Sequence, residues 1–458
     1  MRLSTMMFLE FFVWGAWYTT VAVYMTAEGH ENLTHWPYTV NPVAAIVAPF
    51  FLGLVADRYF AAQNVFGVLH LIGGAFMLLA PSLIGDPTLF ILALLAYNLA
   101  YMPTLGLANT IAFEQLDDQE KQFPIIRVFG TVGWIVAGLA ISFVMSPLLV
   151  TTAEETAWPL YLTGIGSIIL GLFSFTLPNT PPVAKGQPVS VASIAGVDAF
   201  KQLGSRPFYI FLAASFLICI PLAAYYNFTQ IYLGATGFEN IAATQSLGQV
   251  SEIVFMLVMP LLFVRWGVKW MLAAGMFAWV IRYALFALAA PEAVTWMIVG
   301  GVLIHGICYD FFFVTGQIYV EKKSTPAVRG QAQGLLVLVT YGVGMFIGAL
   351  VAGGLFNGFL SGHESVSGEW AAASAGCFTN SLTFGAAGVC ETTQDALTSG
   401  QWVQFWWIPA LFAGVVLLLF IVLFNDRVDD ADETVEPHVD APSASLTPAP
   451  ESGVPVTT

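Results

Sequence analysis

Charge is what this chain has least of. Only 9% of its 458 residues are Asp, Glu, Lys or Arg, while 57% are hydrophobic. Soluble proteins carry about 25% charged residues, so a water-exposed globular domain is excluded. Cations are scarcer still, fourteen Lys and Arg against 29 Asp and Glu, and nucleic acid is not an expected partner. Only four cysteines are present. Cys219 and Cys308 fall within apolar runs and read as packing residues. Cys377 and Cys390 lie in the long segment 357–401, expected outside the cytoplasm, where an oxidising compartment would join them in a disulfide. The six histidines are scattered, and His30 and His35 read as solvated loop residues. No metal-ligand cluster, nucleophile motif or soluble catalytic domain is found, so an enzyme is not expected, nor a metal, nor a cofactor.

What the chain does have is apolar length. Runs of about 20 residues, enough to cross a bilayer as helices, recur at 7–27, 38–56, 62–82, 87–113, 124–149, 158–177, 207–233, 243–264, 268–290, 293–320, 330–356 and 402–425. With a mean hydropathy of +0.77, the expected fold class is an all-α integral membrane protein of twelve transmembrane helices in two six-helix halves. No cleavable signal peptide is expected, since the first run is long and lacks a small-residue cleavage site.

Twelve cations alternate between loops: Arg2; Arg58; Lys121; Lys185, Lys201 and Arg206; Arg265 and Lys269; Lys322, Lys323 and Arg329; and Arg427. The intervening loops hold acids instead, among them Glu28, Glu31, Asp86, Glu154, Glu155, Glu239 and Glu292. The positive-inside rule then places both termini in the cytoplasm. The proline cluster of "LPNTPPVAKGQPVSVASIAGVDAFKQLGSRP" ends the sixth run and separates six runs from six. The domains expected are a half over 1–177, a cytoplasmic central loop over 178–206, and a second half over 207–425 that carries the insert 357–401. The acidic, Pro-rich tail 426–458 is expected to be disordered. Two repeated halves around a middle loop are the plan of a transporter. "GLVADRYF" (53–60) and the degenerate "FVRWGVKWM" (263–271) stand at equivalent places in the halves. The first resembles the G-x-x-x-D-R signature of the major facilitator superfamily, with Asp57 and Arg58 as gate residues.

Ionisable residues inside spans are costly and face a bundle interior or a wet cavity. Arg127, Thr131, Trp134 and Gly138 fall on one helical stripe, as do Gln245, Gln249, Glu252 and Met256. Glu10, Trp14, Trp17, Val21 and Tyr24 make a third. His305, Tyr309, Asp310, Phe313 and Gln317 occupy less than half of another helix. Several such stripes predict a central polar cavity flanked by aromatics, suited to a ligand with a flat ring and several hydroxyls.

"AYMPTLGLANTIAF", "FPIIRVFGTVGWI", "GQVSEIVFMLVMP", "WVIRYALFA" and "HGICYDFFFVTGQIYVEK" resemble the nucleoside:proton symporter family, from the first run to about residue 425. The resemblance implies proton-coupled nucleoside uptake across a bacterial inner membrane by a monomer, with the proton as coupling ion. It implies substrate contacts at Arg127, Thr131, Trp134, Gln249, Glu252, His305, Tyr309 and Asp310. His305 stands where the best-known nucleoside permeases have tyrosine, and Trp134 and Tyr309 where they have phenylalanine. "AAYYNFTQ" stands where they carry a Gln and Asn pair, which makes Tyr226 and Asn227 the nearest candidates. Asp310, with Glu252 and then Glu10, is the candidate for proton coupling. A sugar:proton symporter is the alternative, because R-x-x-G-x-x-G from Arg127 also resembles that family.

Overall fold

In lipid every backbone N–H and C=O must be satisfied within its own segment, which leaves helices as the form open to a long apolar run. The computed structural model describes residues 1–52, 59–182, 196–325, 328–382 and 392–425. Its principal helices are α1 (Arg2–Ala27), α2 (Trp36–Phe51), α3 (Ala62–Leu83), α4 (Pro87–Phe113), α5 (Lys121–Leu149) and α6 (Trp158–Ser174). They continue with α7 (Arg206–Ala235), α8 (Ile241–Ala289), α9 (Thr295–Lys323), α10 (Arg329–Leu360), α11 (Gly368–Leu382) and α12 (Ser399–Leu423). Among the described residues no strand is present.

Nine of these segments are long and apolar enough to span a bilayer. The runs expected at 38–56 and 158–177 fall on the shorter α2 and α6. Those at 243–264 and 268–290 fall on the two arms of the 49-residue α8, which breaks at Gly267 with φ 65° and ψ 177°. That backbone conformation is closed to most side-chain-bearing residues. Asp57 and Arg58, Cys390, residues 183–195 of the central loop and the tail from 426 lie outside the described residues.

Local signals start the helices. Asp86 accepts from the backbone N–H groups of Thr88 and Leu89 at 3.1 and 3.2 Å, with Pro87 at the first helical position. Thr398 and Gln401 form a reciprocal capping box at α12. Ahead of α5, Asp118 accepts from Lys121 Nζ at 2.7 Å and from its backbone N–H at 3.1 Å, which together hold its carboxyl below the usual carboxylate range. Close backbone approach then draws helices together. A Cβ at Gly133 of α5 would collide with the Phe8 carbonyl of α1, and one at Gly306 of α9 would lie 2.6 Å from the Ser251 carbonyl of α8.

At the end of the bundle that carries α11 one expectation needs correction, that for His35. Within the segment 357–401, α11 buries Trp370, Ser374, Cys377 and Ser381. It packs on α10, where Cβ atoms at Gly354 and Gly358 would clash with its residues. His35 is no solvated loop residue. It is buried beneath α11, with Nε2 3.1 Å from Ser381 Oγ.

At that end of the bundle α1–α6 and α7–α12 are tied by hydrogen bonds. Tyr38 of α2 accepts from Gln230 of α7 and donates to the Tyr18 carbonyl at 2.9 Å. Asn357 donates to the Asn32 carbonyl at 2.8 Å. Buried Glu154, in the turn before α6, accepts from Ser142 Oγ at 2.6 Å and from the Ala242 N–H at 3.2 Å, where α8 begins. The cavity lies nearer the other end.

Candidate functional site

Eight helices supply the walls of a central cavity of about 510 Å³, with Ala45 and Ala48 of α2 and Met102 and Asn109 of α4 among the lining residues. Phe11, Trp14 and Tyr18 come from α1, and Arg127, Thr131 and Trp134 from the stripe on α5. Tyr226 of α7, Gln249 and Glu252 of α8, Tyr309, Phe313 and Gln317 of α9, and Thr340 and Tyr341 of α10 close the other side.

The inner end is a cage of rings. Trp14 and Trp134 stand edge to face with centroids 5.5 Å apart, and Tyr18 meets Tyr226 at 5.6 Å. Tyr341 meets Trp14 at 6.1 Å and donates to Asn41. The Trp14 and Trp134 indole N–H groups and Gln249 Oε1 have no protein hydrogen-bond partner among the described residues. The walls therefore combine π faces with idle donors and acceptors, the complement of a planar heterocycle bearing hydroxyls.

The charges meet beside this cage. Arg127 is stacked on the Phe11 ring, its Cζ 4.1 Å from the centroid. Glu252 faces the cavity with its side chain 15% exposed, and His305 Nε2 approaches its Oε1 at 3.0 Å, short of hydrogen-bond geometry. Both Arg127 and Arg282 act on Glu252 electrostatically. Asp310 lies behind the wall, 0% exposed, with neither carboxyl oxygen hydrogen-bonded among the described residues. It opens a π-helical turn, Asp310–Val314, and a second such turn, Leu338–Gly344, carries Thr340 and Tyr341. Wide turns of this kind are frequent at functional sites. Around the first of these turns Tyr309, Phe313 and Gln317 stand on the cavity wall while Asp310 is buried.

Of the residues expected to contact substrate, Arg127, Thr131, Trp134, Tyr226, Gln249, Glu252 and Tyr309 line the cavity. His305, Asn227 and Asp310 do not; all three are buried, and both amide atoms of Asn227 lack partners. Glu10 is elsewhere. It is fully buried between α1, α3 and α4, accepting from Thr104 Oγ1 at 2.7 Å and lying 2.7 Å from His70 Nε2. Sequence reasoning missed His70, whose signal was a histidine inside an apolar run. It also missed Phe11, Tyr18 and Tyr341, which carry no signal apart from being aromatic.

This arrangement defines a membrane transporter of the major facilitator fold. A family model described as nucleoside H+ symporter matches residues 1–429. The "Putative nucleoside transporter YegT" of Escherichia coli (strain K12) is 36% identical over 442 residues, covering 94% of this chain and 97% of that protein. Nucleoside permease NupG of the same organism is 32% identical over 370 residues, covering 77% and 87%. The crystal structure of nucleoside transporter NupG superposes with a TM-score of 0.76 at 30% identity, over 93% of this chain and 99% of that one. The chain belongs to the nucleoside H+ symporter family, whose members are transporters and not enzymes.

Proposed function

We propose that this protein imports nucleosides together with protons across a bacterial inner membrane, as a monomer with both termini cytoplasmic. The two halves, 1–177 and 207–425, rock about the cavity to open it alternately to each side. The observation that carries this reading is the meeting of Arg127, Thr131 and Trp134 of α5 with Gln249, Glu252 and Tyr309 of α8 and α9 around one ring-lined space.

The roles follow from chemistry. The base stacks among Trp14, Trp134 and Tyr226. Arg127 offers a rigid fork of donors to hydroxyls or ring oxygens, and Gln249 and Glu252 accept from the ribose. Asp310 carries the coupling proton. A buried carboxyl with no hydrogen-bond partner among the described residues is costly to hold ionised, which suits a group that takes up a proton there. When the halves move and water reaches it, it can release that proton. Glu10, a third candidate by sequence, already has its partners and is assigned to the scaffold.

The test is labelled uridine uptake into proteoliposomes. Uptake should become concentrative only when the outside is more acidic than the inside, and nucleosides should compete while disaccharides do not. Gradient-independent uptake, or competition by disaccharides, would overturn the reading.

A further inference from the structure

Arg282 has no place in the scheme above, yet it is 0% exposed in the second arm of α8. Its Nε donates to the Gly301 carbonyl at 3.1 Å, while Nη1 and Nη2 have no hydrogen-bond partner among the described residues. An intramembrane guanidinium held so sparsely marks a functional position. Its main contact is a ring: Cζ lies 4.1 Å from the centroid of Tyr225. Tyr225 in turn stacks on His305, with centroids 5.3 Å apart and planes 18° from parallel. His305 Nε2 is the atom 3.0 Å from Glu252. Three planar groups thus run in series from a buried cation to an acid on the cavity wall. Arg127 over Phe11, at the same 4.1 Å, is the corresponding stack in α1–α6, but that arginine faces the cavity itself.

We propose that Arg282 is a positioning residue for substrate binding: it clamps Tyr225, and the Tyr225 ring holds His305 at the angle that presents Nε2 to Glu252. A planar guanidinium with one fixed hydrogen bond can set a ring plane; a lysine ammonium, a point charge on a flexible stem, cannot. The inference rests on the reading of Glu252 as a substrate contact.

The experiment measures uridine uptake kinetics in proteoliposomes for R282K, H305A and the double variant R282K/H305A. R282K should raise KM about tenfold, the scale of a desolvated cation–π contact, with the maximal rate and the pH-driven accumulation ratio retained. H305A should raise KM similarly, and R282K should add less than about twofold in the H305A background, because two links of one chain are not additive. A wild-type KM in R282K, or an undiminished effect in the H305A background, overturns the proposal. If H305A raises KM while R282K is silent, the proposal fails and the site reading stands. If H305A leaves KM unchanged, His305 falls out of the site and the proposal falls with it. Should R282K fail to insert, Y225L removes the middle ring and leaves the arginine: the same KM rise, absent in the H305A background, supports the proposal, and a wild-type KM refutes it.

Discussion

Glu10 with His70, and Glu252 with His305, are both acid–imidazole pairs, with ring nitrogen and carboxylate oxygen 2.7 and 3.0 Å apart. Around Glu10 every group is answered. Thr104 donates to the second carboxylate oxygen, Ser167 Oγ lies 3.2 Å from His70 Nδ1, and Tyr101 donates to the Glu10 carbonyl. The cluster joins α1, α3, α4 and α6, and none of its residues lines the central cavity. Around Glu252 little is answered. Among the described residues His305 Nδ1, both oxygens of Asp310, Gln249 Oε1 and two nitrogens of Arg282 have no hydrogen-bond partner. A satisfied buried network rigidifies, and an unsatisfied one stands in need of another explanation. The same two residue types thus build a staple in one place and, in the function proposed above, a binding and proton-handling centre in the other.

The strongest way to break this comparison is Asp310→Asn, which keeps the shape and removes the titratable proton. Accumulation driven by a pH gradient should fall to background while nucleoside exchange across the membrane persists. Concentrative, gradient-dependent uptake by this variant would transfer the coupling role to Glu252. Next comes Arg127→Lys, which keeps the charge and loses the fork. Uridine uptake should drop roughly tenfold or more, as expected for losing a charged hydrogen-bonding geometry, and near-normal affinity would reduce Arg127 to a structural cation.

Glu10→Gln sharpens the contrast from the other side. Losing the charged hydrogen bonds of the staple should cost about 1–3 kcal/mol, read as a lower thermal midpoint in detergent. Transport per folded molecule and its dependence on the pH gradient should be unchanged; loss of coupling would make Glu10 part of the proton path. The smallest effect is expected at Cys377, which is disulfide-bonded. Mass spectrometry of non-reduced peptides should find it joined to Cys390. Cys377→Ser should weaken the segment around α11 by no more than about 3 kcal/mol and leave uridine uptake intact. Alkylatable thiols at both positions in protein from an oxidising compartment would refute the pairing.

Much of the site was legible because it obeys helical periodicity. Arg127, Thr131 and Trp134 recur at helical spacing, and the structure sets all three on the cavity wall. The stripe from Glu10 misled, since Trp14 lines the cavity whereas Trp17, Val21 and Tyr24 pack in the core. Aromatic side chains fill bundle interiors and ligand cages equally well, so their spacing names a face without naming its neighbour. Met256, on the stripe with Gln249 and Glu252, is 46% exposed.

By itself the sequence determined that the chain lives in a bilayer, that its runs are helical, and which ionisable residues are buried at a cost. Those conclusions follow from composition and from the requirement that backbone groups be paired in lipid. Which buried acid is satisfied and which is not was decided only by the tertiary structure. Glu10 meets His70, sixty residues away, and Thr104, ninety-four away, whereas Asp310 is buried behind the cavity wall and meets no hydrogen-bond partner among the described residues. Partners that distant come together through helix packing, which is not written in local spacing.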